Sequence, residues 1–141
     1  MIEQKCKNKV REKLRRQIEN LGKLFRAYQV GKEQVENLGF FPEYGLCFDY
    51  VPRGTFGDQR RGYFRYQLSW GGPSDEFRFF VDETFTPTRI EYWFIDWFDG
   101  AHIILRPGSA EHGLMCDIWA FFKEIGSVKE QFEEVTSPDE P

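Results

Sequence analysis

The chain of 141 residues is 40% hydrophobic, 18% aromatic and 30% charged, with a net charge of −4; this composition suits one hydrophobic core and excludes a disordered chain or two domains of ordinary size. No run approaches the roughly 18 apolar residues of a membrane span, and the basic start lacks the apolar block of a secretory signal, so a cytoplasmic protein without a membrane partner is expected. Cys6, Cys47 and Cys116 are odd in number and far apart, which points to free thiols and away from a disulfide framework or a CxxC metal or redox site.

Charge is unevenly placed. Residues 1–32 hold ten Lys/Arg against three Asp/Glu, and residues 33–141 nine against twenty, so a basic arm of +7 precedes an acidic body of −11. The expected organisation is a basic helix over 1–30, a body over 31–135 and a frayed acidic tail over 136–141. In the arm, Ile2, Cys6, Val10, Leu14, Ile18, Leu21, Phe25 and Tyr28 recur at steps of three or four, the period of a helix. Before Ile18 this stripe is one residue wide, which predicts light packing at the start. About 27 residues at about 1.5 Å each reach about 40 Å, so the helix is expected to break or to overhang the core, and the place for a break is Asn20-Leu21-Gly22, where Gly costs about 1 kcal/mol.

Residues 31–43 allow one short helical turn before Gly39 and Pro42 end it. Strands follow. Tyr44, Leu46, Phe48 and Tyr50 alternate with Gly45, Cys47 and Asp49; after a polar connection over Pro52–Gly62, Phe64, Tyr66, Leu68 and Trp70 alternate with Tyr63, Arg65, Gln67 and Ser69. Gly71-Gly72-Pro73-Ser74 reads as a turn, and Phe77, Phe79 and Val81 form the inward row of a third strand. Asp82–Pro87 is the next turn, Arg89–Phe98 a long strand, and Asp99-Gly100 the pair suited to a type I′ turn before His102–Leu105. Ser109 is placed to cap a helix whose Leu114, Met115, Ile118, Trp119, Phe122 and Ile125 make a broad apolar face, and Ser127 with Glu130 has capping-box spacing for a last helix holding Phe132 and Val135. The fold expected is α+β: an antiparallel four- or five-stranded sheet with a long N-terminal helix and C-terminal helices packed on it.

The long strand is apolar on both faces. With Tyr92 and Phe94 inward, Glu91, Trp93, Ile95 and Trp97 face the other way beside Tyr63, Arg65, Gln67, Arg78 and Phe80. Large aromatics mixed with Arg are what protein interfaces favour, so Arg65, Arg78, Glu91, Trp93, Trp97 and Asp99 are the candidate protein-binding residues. The competing expectation is that the first helix covers this face and completes a three-layer core.

Catalysis and metals draw less support. Glu91, Asp96 and Asp99 share a hairpin without a specific spacing, His102 and His112 have no HxxxH or Cys pair nearby, and Cys47 and Cys116 are expected in apolar surroundings with no activating His. No catalytic residue, metal site or cofactor is therefore assigned. Lys5, Lys9, Arg11, Lys13, Arg15 and Arg16 are the candidates for a nucleic-acid contact, although their charges surround the helix and the acidic body opposes a polyanion.

At GYFRYQLSWGGPSDEFRFF and RIEYWFIDWFDGAH the sequence resembles a group of small proteins of bacterial conjugative plasmids and other mobile elements. The resemblance covers about Gly62 to Ile125 and leaves the basic helix outside. It implies a non-enzymatic accessory protein of a class that includes anti-restriction and anti-CRISPR inhibitors. The partner so implied is a host defence nuclease or CRISPR effector complex, blocked by occlusion, with the protein itself a monomer or homodimer; a nucleic-acid-binding accessory factor is the alternative. No catalytic residues are carried over from that group.

Overall fold

The computed structural model describes residues 5–136, so Ile2 and the tail beyond Thr136 lie outside the described residues. The elements run α1 (Lys5–Gln29), α2 (Phe41–Tyr44), β1 (Cys47–Val51), β2 (Tyr63–Ser69), β3 (Ser74–Val81), β4 (Pro87–Asp96), β5 (Asp99–Ile104), α3 (Ala110–Glu124) and α4 (Ser127–Thr136). The five strands form one antiparallel sheet in sequence order. The architecture is α+β, as the alternation of the strands and the periodicity of the helices lead one to expect.

Among the described residues all the helical cover lies on one face of the sheet. Strand alternation sends one cross-strand row, Phe48, Tyr66, Phe77, Tyr92 and Ile103, to that inner side. Phe64 and Phe79 in the neighbouring row receive Trp119 of α3, and Phe64 and Tyr50 receive Phe132 of α4. α1 packs on β4 and β5 of the same side, and its Cys6, Val10, Leu14, Leu21, Leu24 and Phe25 are buried in the same core. The helix therefore does not cover the outer face, and the molecule has two layers.

Several local expectations are corrected. α1 runs through Gly22 without a break, because Leu21, Leu24 and Phe25 are buried on either side of it and burial worth about 1.5–3 kcal/mol per large side chain outweighs the glycine cost. Its start is packed rather than loose, since the narrow stripe of Cys6, Val10 and Leu14 lies flat on the sheet. The short helix α2 follows Gly39 instead of ending there, with Pro42 in its first turn, where a missing N–H costs nothing. Tyr44 thus belongs to α2, and β1 begins only at Cys47.

The β4–β5 loop is Trp97-Phe98, closed by the pair Asp96 and Asp99, so Asp99-Gly100 already belongs to β5 and is not the turn. The cause is a contact 93 residues away in sequence: the Asp99 carboxylate accepts the Cys6 N–H at 2.9 Å. α1 has no acidic residue in its first turn, and Asp99 supplies a carboxylate to an N–H of that turn. The Cys6 thiol lies 3.4 Å from the Asp99 carbonyl. Toward the other end of the chain Ser109 Oγ accepts from His112 N at 3.1 Å, the expected cap, whereas Ser127 is already the first residue of α4 and does not flank it as a capping box requires; the Glu130 N–H donates to the Gly126 carbonyl instead.

Candidate functional site

Among the described residues no helix lies over the outer face, yet much of it is dry. Its central row is Asp49, Arg65, Arg78, Glu91 and Ile104, paired across all five strands. Arg65 and Arg78 stand directly opposite each other, an arrangement that repels unless each finds an anion. Arg65 gives Nε and Nη2 to the two oxygens of Asp49 at 3.0 and 2.7 Å. Arg78 gives Nε to Glu76 at 2.7 Å. Glu91 accepts from Arg89 Nε and, at 2.8 Å, from Trp93 Nε1.

Aromatic rings complete the layer. The Arg78 guanidinium lies 4.8 Å from the Tyr63 ring and 4.1 Å from the Trp93 ring, and Trp93 stacks on His102 at 4.4 Å and 13°. A ladder Tyr63, Arg78, Trp93, His102 therefore crosses four strands. Rings and planar guanidinium lie flat, so Tyr63, Glu76 and Glu91 are buried without a second layer. Burial is the leading reason the Tyr63 phenol is pushed above its ordinary pKa.

This layer borders a groove of about 590 Å³. Its floor is strand residues of the outer face, Arg65, Ser74, Glu76, Arg78 and Ile95, and its rim is Trp70 and Trp97 from the two turns at one end of the sheet. Phe56 closes the remaining side, although the β1–β2 loop that carries it is rooted at the opposite end, where Val51 pairs with Tyr63. The loop therefore folds back over the face. The rim residues are open: Trp97 is 84% and Trp70 76% exposed, and Phe98 is fully exposed. Trp97 holds φ at 56°, a left-handed conformation that costs a bulky residue about 1–2 kcal/mol and that a glycine adopts freely.

Of the sequence-derived candidates, Arg65, Arg78, Glu91 and Trp93 are assembled on this face, and Trp97 stands at its rim in the loop rather than in the strand. Asp99 is not on the face; it anchors α1. Glu91 and Asp96 fall on opposite faces by strand alternation, and Glu91 is occupied by Arg89 and Trp93, so the loose carboxylate set does not converge. Among the described residues no group of three or more His, Cys, Asp or Glu is placed to hold a metal ion.

The nucleic-acid candidates lie on α1. Lys9, Arg11, Arg15 and Arg16 are exposed, with Arg16 beside Glu12 at 3.7 Å. Lys13 turns back over the Phe94 ring at 5.8 Å. Lys5 is the first residue of the helix.

Two features were missed in the sequence. Cys116 Sγ lies 3.6 Å from His112 Nδ1, contrary to the expectation of a cysteine without a histidine; the i, i+4 spacing on a helix was the signal. Burial, and then Asp117, push the thiol above its ordinary pKa, the reverse of what an activated nucleophile needs. The second is Asp75, a buried carboxylate on the inner side that accepts from Tyr92 Oη at 2.6 Å, Gln17 Nε2 at 2.9 Å and Ser69 Oγ. Gln17 in turn accepts from Tyr44 Oη at 2.6 Å, so this network ties α1 and α2 to the sheet.

No family model, curated protein or solved structure matches the chain. No helix among the described residues is long and apolar enough to cross a membrane.

Proposed function

We propose that the chain is a non-enzymatic protein-binding inhibitor that acts by occlusion, docking its outer sheet face onto a partner. The observation that carries this reading is a helix-free face built from Arg65, Arg78 and Trp93, beside a groove rimmed by the exposed Trp70 and Trp97. Trp and Arg are the side chains that dominate binding energy at protein interfaces, and an open aromatic cluster is costly to keep in water without such a use. The resemblance at Gly62–Ile125 implies the proposed partner, a host defence nuclease or CRISPR effector met by a mobile element. Stoichiometric co-purification of one bacterial protein, lost with Trp97→Ala or Arg78→Ala and accompanied by inhibition of that protein's activity, is the expected result. Equal capture by both variants removes this face from the proposal.

A second reading, nucleic-acid binding, draws on the exposed cations of α1, which lie on the helical side of the sheet, away from the groove. It is tested by charge reversal, Lys9→Glu with Arg11→Glu and Arg15→Glu, because deleting a helix whose Cys6, Val10 and Leu14 are in the core would unfold the protein. Binding to a DNA or RNA duplex that weakens steeply with salt and with the reversal supports it; no shift at low salt ends it.

A further inference from the structure

The groove has a chemical polarity that specifies what it takes. At one end stand Trp70 and Trp97, with Trp97 Nε1 within 4 Å of where a side chain on Gly72 would begin, so this end is aromatic. Toward the other end the β1–β2 loop carries Arg53, Arg60 and Arg61 against a single Asp58, all exposed, and Arg61 lies 5.4 Å from the Phe80 ring at that end of the sheet. Arg61 therefore puts a positive charge on the face at this end, on a loop with a surplus of two such charges in a body that is otherwise strongly acidic.

The floor between these ends offers both kinds of hydrogen-bonding group. Among the described residues Arg78 spends only Nε on Glu76, and Arg65 only Nε and Nη2 on Asp49. No buried side-chain nitrogen or oxygen lacks a partner, so the remaining guanidinium nitrogens are reached by solvent and are open to an acceptor. Glu76 supplies a carboxylate acceptor beside them. A phosphate or a nucleotide chain, which chiefly accepts through its backbone, meets Glu76 unfavourably. A peptide backbone, which donates and accepts in alternation, matches the floor.

We infer that the groove binds an extended, acidic segment of a partner protein, with a large apolar side chain seated between Trp70 and Trp97 and carboxylates directed at Arg60, Arg61 and Arg53. Along β2 the face is about seven residues long, about 20 Å at about 3.3 Å per residue, so the apolar anchor and the carboxylates fall within about six residues of each other. This inference rests on the outer face being the partner-binding surface, and it goes further in stating the partner's chemistry.

The test is selection of a random dodecapeptide library on the immobilised full chain, followed by titration of the selected peptides in solution. Expected are peptides with Trp, Phe or Leu next to a run of Asp/Glu, weakened about tenfold by Trp97→Ala and severalfold by Arg60→Glu with Arg61→Glu. Those side chains are exposed, and an unchanged circular dichroism spectrum verifies that the variants fold. Basic or charge-neutral peptides, no selected peptide, or binding indifferent to both variants overturns the inference. So does tight, Trp97-dependent binding of a twelve-residue oligothymidylate, which assigns the groove to single-stranded nucleic acid. Partner capture that needs Trp97 while the library yields no acidic consensus sinks this inference alone; an acidic consensus with partner capture indifferent to Trp97 sinks the assignment of the face.

Discussion

The two faces of the sheet are made from alternate residues of the same five strands and exclude water to different degrees and by different means. The inner row Phe48, Tyr66, Phe77, Tyr92, Ile103 is sealed by separate helices. In the adjacent outer row Asp49, Arg65, Arg78, Glu91, Ile104 the charged side chains cover one another: Glu91 is buried, Asp49, Arg65 and Arg78 are half-buried, and Ile104 at the edge stays exposed. One face is held by shape and the other by planar stacking with matched charges. A sheet can thus bury carboxylates and tyrosines on a side no other layer covers, provided each charge has a partner within the strand pair.

The contrast is tested most severely on the inner side. Phe64 is fully buried and touches Phe48, Tyr50, Trp119 and Phe132; Phe64→Ala is expected to cost about 3–5 kcal/mol in urea denaturation. A loss under about 1 kcal/mol would mean the helices do not seal this face. Asp75→Ala leaves Tyr92 and Gln17 as donors without an acceptor and is expected to cost about 2–3 kcal/mol. On the outer side Arg78→Ala leaves Glu76 unpaired, but solvent and neighbouring rings can rearrange, so about 1–2 kcal/mol is expected by the same measurement.

Alkaline pH loads both faces, since burial raises the Tyr63 phenol on the outer side as well, but the inner one carries more of the buried rings. Burial raises the phenol pKa values of Tyr66 and Tyr92, and Asp75 raises that of Tyr92 further. Because the folded state disfavours the phenolate, stability is intact below the unfolded value near pH 10 and falls as pH rises beyond it, by up to about 1.4 kcal/mol per pH unit for each ring. Denaturation midpoints measured from pH 8 to 11 should be flat and then drop, and Tyr92→Phe should soften the drop. The smallest effect on stability is expected at the groove rim, where Trp97→Ala changes it by less than about 0.5 kcal/mol while partner binding is lost. A large loss of stability there would make Trp97 a structural residue and weaken the contrast.

What the sequence made legible follows the same division. Period-two alternation set out the strands and both rows, because side-chain direction in a strand is a local property. The pairs that neutralise the outer face, Arg78 with Glu76 and Glu91 with Arg89 and Trp93, are two residues apart on single strands, and their spacing could have been read. The groove could not. Its third wall, Phe56, depends on the path of an eleven-residue connection back across the sheet, which no local pattern encodes. Continuity of α1 through Gly22 and the displaced β4–β5 turn were hidden for a related reason, since each depends on partners far along the chain.

The seat of α1 on Asp99 also orders events in time. Neighbouring hairpins of a sequential meander close over short loops, whereas the Cys6 contact waits for a residue made 93 positions later. Pulse-labelled hydrogen exchange during refolding should protect β2 to β4 before α1; simultaneous protection would remove this order. During synthesis α1 is made long before the two strands it rests on, β4 and β5, and a chain cut short before them leaves a basic, half-apolar helix free to meet whatever acidic surface is nearest.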